Sequence, residues 1–291
     1  MVKKAHLVTG KGGVGKSLFS AVLAHYFSSK KSRVLLTELA EHSFYRDYLN
    51  IEQISYQPTS LQLGLSPTQV SLEISQWSPE DCLKEYSLHL LKIESLYRLF
   101  FENPVSRSLI QVAPGLPELA LLGKLTSSPR RHGPPMAQDS VVVDSFASGH
   151  FMSLLRAPSA MANAISFGPM GEQSRGIDRL IRDKDFMQIH IVCLPEELPV
   201  TETVELYRQL EKEFGAKPLV YLNKMSQLTA ADLIELNPQH RENLEQNLRS
   251  EHWARETLKA ENISFTELPL VPSLNVNELI HTLSRSLVGR A

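Results

Sequence analysis

The run Gly10-Lys11-Gly12-Gly13-Val14-Gly15-Lys16-Ser17 carries the strongest chemical signal in the chain. A glycine, four residues and then Gly-Lys-Ser let the backbone turn so that its N–H groups converge on one point, which is the chemistry of a phosphate cradle. In such a loop Lys16 reaches the β- and γ-phosphates and the Ser17 hydroxyl ligates Mg²⁺. Leu18 continues the amides into a helix whose N-terminus favours negative charge. A second lysine, Lys11, stands at the loop's start, either as a solvated side chain or as a further phosphate contact.

The second informative run is Val141-Val142-Val143-Asp144-Ser145-Phe146-Ala147-Ser148-Gly149-His150. A buried apolar strand that ends in aspartate delivers a carboxylate to the edge of a parallel sheet, beside the phosphates, where Asp144 holds the Mg²⁺ hydration shell. Gly149 then offers a backbone N–H that can come close to a γ-phosphate, and a hinge. These are the requirements of a switch that senses hydrolysis.

The elements that must position these groups are legible in the apolar pattern. Residues 5–9 read as a short strand, residues 17–28 as a helix with Phe19, Val22, Leu23 and Tyr26 on one face, and residues 33–37 as the next strand, giving a βαβ opening. Later strand-length runs cover residues 141–143, 188–194, 218–222 and, more weakly, 265–270. Helical patterns at 199–214 and 237–261 separate the last three. The fold class is α/β, a doubly wound, mostly parallel sheet of the P-loop NTPase type with helices on both faces. We expect one domain, 1–291, with helical insertions at about 75–125 and 151–185. The first insertion contains a helix over 79–102, with Leu83, Tyr86, Leu90, Ile93, Tyr97 and Phe100 at helical spacing. Residues 126–138 read as a loop-rich surface connection or a partly disordered segment.

Thirty basic against thirty-two acidic residues leave a net charge of -2, so no global basic field exists for nucleic acid or an anionic membrane. Two cysteines, Cys82 and Cys193, form no Cys-x-x-Cys pair and suggest neither a disulfide framework nor a thiolate zinc site. No run of about 18 uninterrupted apolar residues occurs. The expectation is a soluble, cytoplasmic protein.

Lys-Gly-Gly-Val-Gly-Lys-Ser resembles the deviant phosphate loop of the ATPase class that includes MinD, ParA and the ArsA pump ATPases. Asp144-Ser-Phe-Ala-Ser-Gly149-His150 is similar to the Asp-Thr-Ala-Pro-Thr-Gly-His of the ArsA and tail-anchored-protein targeting family. The stretches Ala113-Pro-Gly-Leu-Pro-Glu-Leu119, Pro195-Glu-Glu-Leu-Pro-Val-Thr-Glu-Thr203 and Asn223-Lys224 extend the likeness over most of the chain. The resemblance implies ATP and Mg²⁺ as cofactors, and a homodimer that sandwiches nucleotide, with Lys11 crossing to the partner's phosphates. It also implies Asn223 beside the adenine and the loop near Pro272 closing over it. Read without the resemblance, residues 195–203 are a strand exit and helix cap, with Thr201 or Glu202 near the helix start, and Asn223 is a strand-end turn residue.

The departures from the family lie after the second strand. Where the family carries Asp-Pro-Ala-His and then a water-orienting aspartate, this chain has Glu38-Leu-Ala-Glu41-His-Ser-Phe-Tyr-Arg-Asp47. Glu38 can still hold a Mg²⁺-bound water. Asp47 is the first candidate to orient the attacking water and Glu41 the second. The cysteines that bind arsenite in the pump are not recognisable here.

Two functional classes follow. In the first, an ATPase switch couples γ-phosphate loss at Gly149 to motion of adjoining helices, and the Met- and Phe-bearing residues 151–170 are a hydrophobic client surface or ordinary core. In the second, a ParA- or MinD-like positioning ATPase acts on membrane or nucleoid, and residues 276–291 would then be a membrane-binding amphipathic helix. That stretch carries only Arg285 and Arg290 as cations, and reads better as a last core helix.

Overall fold

The structure, a computed structural model, describes residues 4–39, 42–49, 51–63, 72–91, 115–165, 167–227, 238–273 and 275–287. Eight strands form one sheet: β1 (Lys4–Thr9), β2 (Val34–Glu38), β3 (Thr59–Ser60), β4 (Leu72–Gln76), β5 (Ser140–Asp144), β6 (Met187–Cys193), β7 (Leu219–Met225) and β8 (Phe265–Pro269). Their order is β3-β4-β2-β5-β1-β6-β7-β8. All neighbours run parallel except the β3–β4 edge pair.

The central strands are apolar almost throughout because both faces are covered. Every residue of β2 and β5 is buried. Alternate side chains feed two cores, since successive residues of a strand point to opposite faces. Ala5, Leu7, Leu35, Val141 and Val143 join one, and Val8, Val34, Leu36 and Val142 join the other.

On the second face lie α1 (Lys16–Ser29), α2 (Phe44–Leu49) and α10 (Val276–Ser286). The first face is covered mainly by α3 (Pro79–Leu91), α4 (Leu116–Leu125), α6 (Ser148–Ala164), α7 (Gly168–Ile181), α8 (Glu197–Phe214) and α9 (Pro238–Ala260), with the one-turn α5 (Ser127–Arg130) after α4. The doubly wound arrangement is therefore present. No described helix is long and apolar enough to cross a membrane.

Three local expectations change. Strand β4 was not foreseen: its Leu-Glu-Ile-Ser-Gln alternation buries Leu72 and Ile74 while pairing parallel to β2, so residues 75 and 76 belong to the sheet and not to an insertion. Helix α1 buries every residue from Phe19 to Tyr26, and not one stripe, because α10 packs over it with Ile280, Leu283 and Leu287.

The stretch 126–138 is a surface connection only in part: Thr126, Ser127, Ser128 and Met136 are buried, while Arg131, His132, Pro135 and Ala137 are exposed. Its hydroxyls satisfy the backbone locally: Thr126 Oγ1 donates to the Leu122 carbonyl at 2.7 Å and Ser127 Oγ to that of Pro134 at 2.8 Å. Polar composition therefore did not require exposure. The helical reading of residues 92–102 lies outside the described residues.

Beneath α1, β1 and β6 bury two histidines. His6 Nδ1 lies 3.0 Å from His190 Nε2, and His190 Nδ1 lies 3.2 Å from the Tyr221 hydroxyl. Burial drives both imidazoles toward the neutral form, His6 well below its ordinary value and His190 down to about 3. An unfolded histidine titrates near ~6.5. Between about 6.5 and about 3 the unfolded chain therefore binds more protons, so this stability is complete above about 6.5 and lost as pH falls. We predict that unfolding free energy drops by at least ~1 kcal/mol per pH unit between pH 6 and 5 in urea titrations. The slope should be shallower in His190→Gln, and an equal slope in that variant would show that the pair is not its source.

Candidate functional site

The phosphate loop joins β1 to α1 at the carboxyl edge of the sheet. Gly10 turns at φ +140°, and a Cβ there would sit 2.2 Å from the Val192 carbonyl oxygen, so no other residue fits against β6. Gly15 caps α1 at φ +95°, where a Cβ would stand 2.7 Å from Asn223 Nδ2. No side chain caps α1 and no acidic residue lies in its first turn, which leaves its amides and dipole available to an anion. The loop is braced from beside and within. Asn223, buried at the end of β7, donates from Nδ2 to the Val14 carbonyl at 2.9 Å and accepts the Lys224 N–H on Oδ1 at 2.9 Å. Lys16 Nζ donates to the Lys11 carbonyl at 2.9 Å. Burial lowers the Lys16 pKa, with Asp144 acting in the opposite direction.

Two carboxylates end adjacent strands in register, Glu38 on β2 opposite Asp144 on β5. They are 1% and 6% exposed, which for carboxylates demands compensation. Asp144 obtains it from Tyr45, a fully buried phenol on α2 that lies 3.2 Å from Oδ2 and 3.0 Å from the Ser17 carbonyl. Burial raises the Asp144 pKa, while Ser17, Tyr45 and Lys16 hold it down. Glu38 Oε1 accepts the Phe44 N–H at 2.8 Å, whereas its Oε2 is buried with no partner among the described residues. Burial first, with the nearby Asp144 charge adding, pushes Glu38 up to about 7 against the pull of Ser43 and the Phe44 amide. A buried carboxylate oxygen without a donor, beside a second carboxylate and Ser17, fits a hydrated divalent cation.

The segment after β5 is tied to the loop at two points. The Ser148 N–H donates to the Gly10 carbonyl at 3.2 Å, and Thr9 Oγ1 to that of Phe146 at 2.9 Å. Gly149 is exposed in the first turn of α6, and a Cβ there would meet nothing within 4 Å, so this conformation does not itself require a glycine. Lys11 Nζ pairs with Glu202 Oε1 at 2.7 Å, and Ser148 Oγ lies 3.2 Å from Oε2 of the same glutamate. The Lys11 hydrogen bond holds the Glu202 carboxyl below its usual range. Residues 195–203 do hold the strand exit and the α8 cap, which is Glu196, with Thr201 Oγ1 bonded to the Glu197 carbonyl in the first turns and Glu202 facing Lys11.

Gly10–Ser17, Glu38, Asp144, Ser148 and Asn223 therefore meet at one edge. Asp47 is exposed on α2, where its charge contributes weakly to raising Glu38. Pro272 is exposed in the β8–α10 connection, and Glu41 lies outside the described residues. Tyr45, Ser148 and Glu202 are the groups that sequence reasoning did not assign to the site. The only signal for Glu202 was its place in the run 195–203, and Tyr45 carried none. Cys82 and Cys193 are free and buried, their thiols pushed up to about 12 by burial.

Residues 3–169 match the family described as anion-transporting ATPases, ArsA ATPase. The chain is 28% identical over 218 residues to the ATPase BagA of Mycobacterium tuberculosis, covering 71% of this chain and 61% of that protein. It is 26% identical over 215 residues to the arsenical pump-driving ATPase of Escherichia coli, covering 71% of this chain and 32% of the pump ATPase. It is also 26% identical over 238 residues to the ATPase ASNA1 homolog of Plasmodium vivax, covering 71% and 59%. The matched region thus spans about three-fifths of the mycobacterial relative and a third of the bacterial pump ATPase. With a family match over more than half its length, and with the loop, the strand-end aspartate and the segment after it meeting at one sheet edge, the chain belongs to the ArsA family of anion-transporting ATPases.

Proposed function

We propose that this chain is a magnesium-dependent ATPase that acts as a cytoplasmic, single-domain, nucleotide-sandwich homodimer. The observation that carries the reading is Glu38 Oε2, buried without a hydrogen-bond partner among the described residues and level with Asp144, the carboxylate that Ser17 and Lys16 act on at the phosphate loop. The amides of Gly10–Leu18 bind the phosphate chain and Lys16 shifts from the Lys11 carbonyl to the β/γ-phosphates. Ser17, Glu38 and Asp144 would hold Mg²⁺, which when bound neutralises charge on the phosphate oxygens. Asp47 is the residue proposed to orient the attacking water, and the Gly149 amide the one that meets the γ-phosphate. Asn223 and Pro272 border the base.

Lys11 is the group proposed to cross the dimer. In this protomer it is engaged by Glu202, so crossing means exchanging a carboxylate at 2.7 Å for a phosphate. Because Glu202 also holds Ser148, that exchange would loosen the residue preceding Gly149, which links nucleotide state to α6. Within α6, Phe151, Met152, Leu154 and Leu155 are core, whereas Ile165, Phe167 and Met170 are exposed at its junction with α7, with Phe167 89% exposed. This tip supports binding of a hydrophobic protein client or membrane partner. The positioning-ATPase alternative has less support, because α10 turns Ile280 and Leu283 into the core.

Phosphate release and nucleotide-binding assays test the reading. Lys16→Ala should abolish Mg-ATP binding, and unchanged affinity would overturn it. Lys11→Ala should retain nucleotide yet lose ATP-dependent dimer in sedimentation, with turnover down about 10³-fold as for a missing arginine finger. Glu202→Ala should favour the dimer by at most about 1 kcal/mol.

Glu38 yields a separate sign. Its folded pKa, about 7, lies above the unfolded ~4.3, so the folded state is favoured below about 4.3 and progressively penalised as pH rises through 7. Without metal at pH 8, Glu38→Gln should therefore raise unfolding free energy by roughly 1–3 kcal/mol while reducing the stabilisation conferred by Mg-ATP. A less stable variant under those conditions would contradict the site.

A further inference from the structure

A cavity of about 380 Å³ lies between α3, α4, α5 and α7, and none of its lining residues belongs to the phosphate loop. Its wall is mainly apolar, built from Leu83, Leu116, Leu119, Ala120 and Ile177, with the partly exposed Met170 at the α7 end. At ~30 Å³ for each methylene-sized group, it has room for an alkyl chain of about ten carbons.

The cavity's charges do not balance. Glu85 accepts the Tyr56 hydroxyl and the Lys124 ammonium, each at 2.5 Å, so those two charges cancel. Lys124 also lies 4.6 Å from the centre of the Tyr56 ring. Arg130 has no such partner. Its guanidinium donates to Thr126 Oγ1 at 2.9 Å, to the Gly123 carbonyl at 3.0 Å and to Gln173 Oε1, all neutral acceptors, and it forms no ion pair among the described residues. Tyr86, the titratable group whose charge it feels, is a phenol kept protonated by burial.

Its three neutral acceptors offset part of the hydration this half-buried guanidinium loses, but no anion among the described residues neutralises its charge. Three of its five N–H donors are used, leaving donors for a further acceptor. We propose that this cavity binds a small amphipathic anion, with a carboxylate or phosphate head on Arg130 and an apolar body of about ten carbons among α3, α4 and α7. One net positive charge on an apolar wall selects against neutral and cationic amphiphiles of the same length.

Calorimetric titration of the full chain with decanoate, decyl phosphate, decanol and decyltrimethylammonium tests this, each below its micelle concentration. Decanoate, decyl phosphate or both should bind at one site, at least tenfold tighter than the alcohol and the cation, and the better of the two names the head group. Arg130→Gln should lower anion affinity about tenfold or more while leaving the alcohol unchanged. Ala120→Phe should block every decyl ligand, which keeps the idea testable if the arginine variant fails to fold by circular dichroism. No binding of any ligand, equal binding of cation and anion, or an Arg130→Gln protein that folds and binds decanoate like the wild type would overturn the proposal. So would an apolar helical peptide that displaces decanoate from a site with no charge preference.

Discussion

The site depends on two carboxylates that cannot be comfortable where they are. Glu38 and Asp144 end neighbouring strands in register, both buried, in a sheet whose centre is mostly apolar. Asp144 is answered by a phenol, a serine and a lysine, whereas Glu38 Oε2 has no hydrogen-bond partner within ordinary distance among the described residues. Such an arrangement costs stability while both groups are ionised, and a proton on Glu38 or a bound cation would relieve it. The rest of the fold serves that edge. Glycines at 10 and 15 let the loop lie against Val192 and Asn223, and Tyr45 ties α2 to the Ser17 backbone and to Asp144 at once.

What could be read from sequence was what is local. The spacing of Gly10, Gly15, Lys16 and Ser17 states its own geometry, because strand, turn and helix N-terminus follow one another within twenty residues. The apolar run ending in Asp144 likewise announced a central strand. The family departures after β2 were visible too, and the geometry sharpens them: Glu38 stands level with Asp144, while Asp47 sits on the outside of α2.

What was not legible was mostly non-local. Lys11 and Glu202 are 191 positions apart, and no periodicity links them. Strand β4 is only five residues long and has two apolar positions, so its alternation is a short signal, and its place next to β2 is a matter of sheet order. Residues 126–138 looked like a connection because serine, threonine and proline usually signal turns, yet at 126–128 the hydroxyls close onto the local backbone or its turn and these residues pack inside, leaving the exposed part to residues such as Arg131, His132 and Pro135. Gly149 shows the converse: its sequence context suggests a hinge, while in this conformation it is an ordinary helical residue. A requirement for glycine there would belong to another state of the switch.

The central claim is that Glu38, Asp144 and Ser17 form a cation site that works together with the phosphate loop. The most direct measurement is equilibrium binding of ATP with magnesium and with excess chelator, in the wild type and in Asp144→Asn. The account predicts tighter binding with magnesium in the wild type, and loss of most of that difference when the Asp144 charge is removed. Equal affinity with and without metal, or a magnesium effect as large in Asp144→Asn as in the wild type, would contradict it.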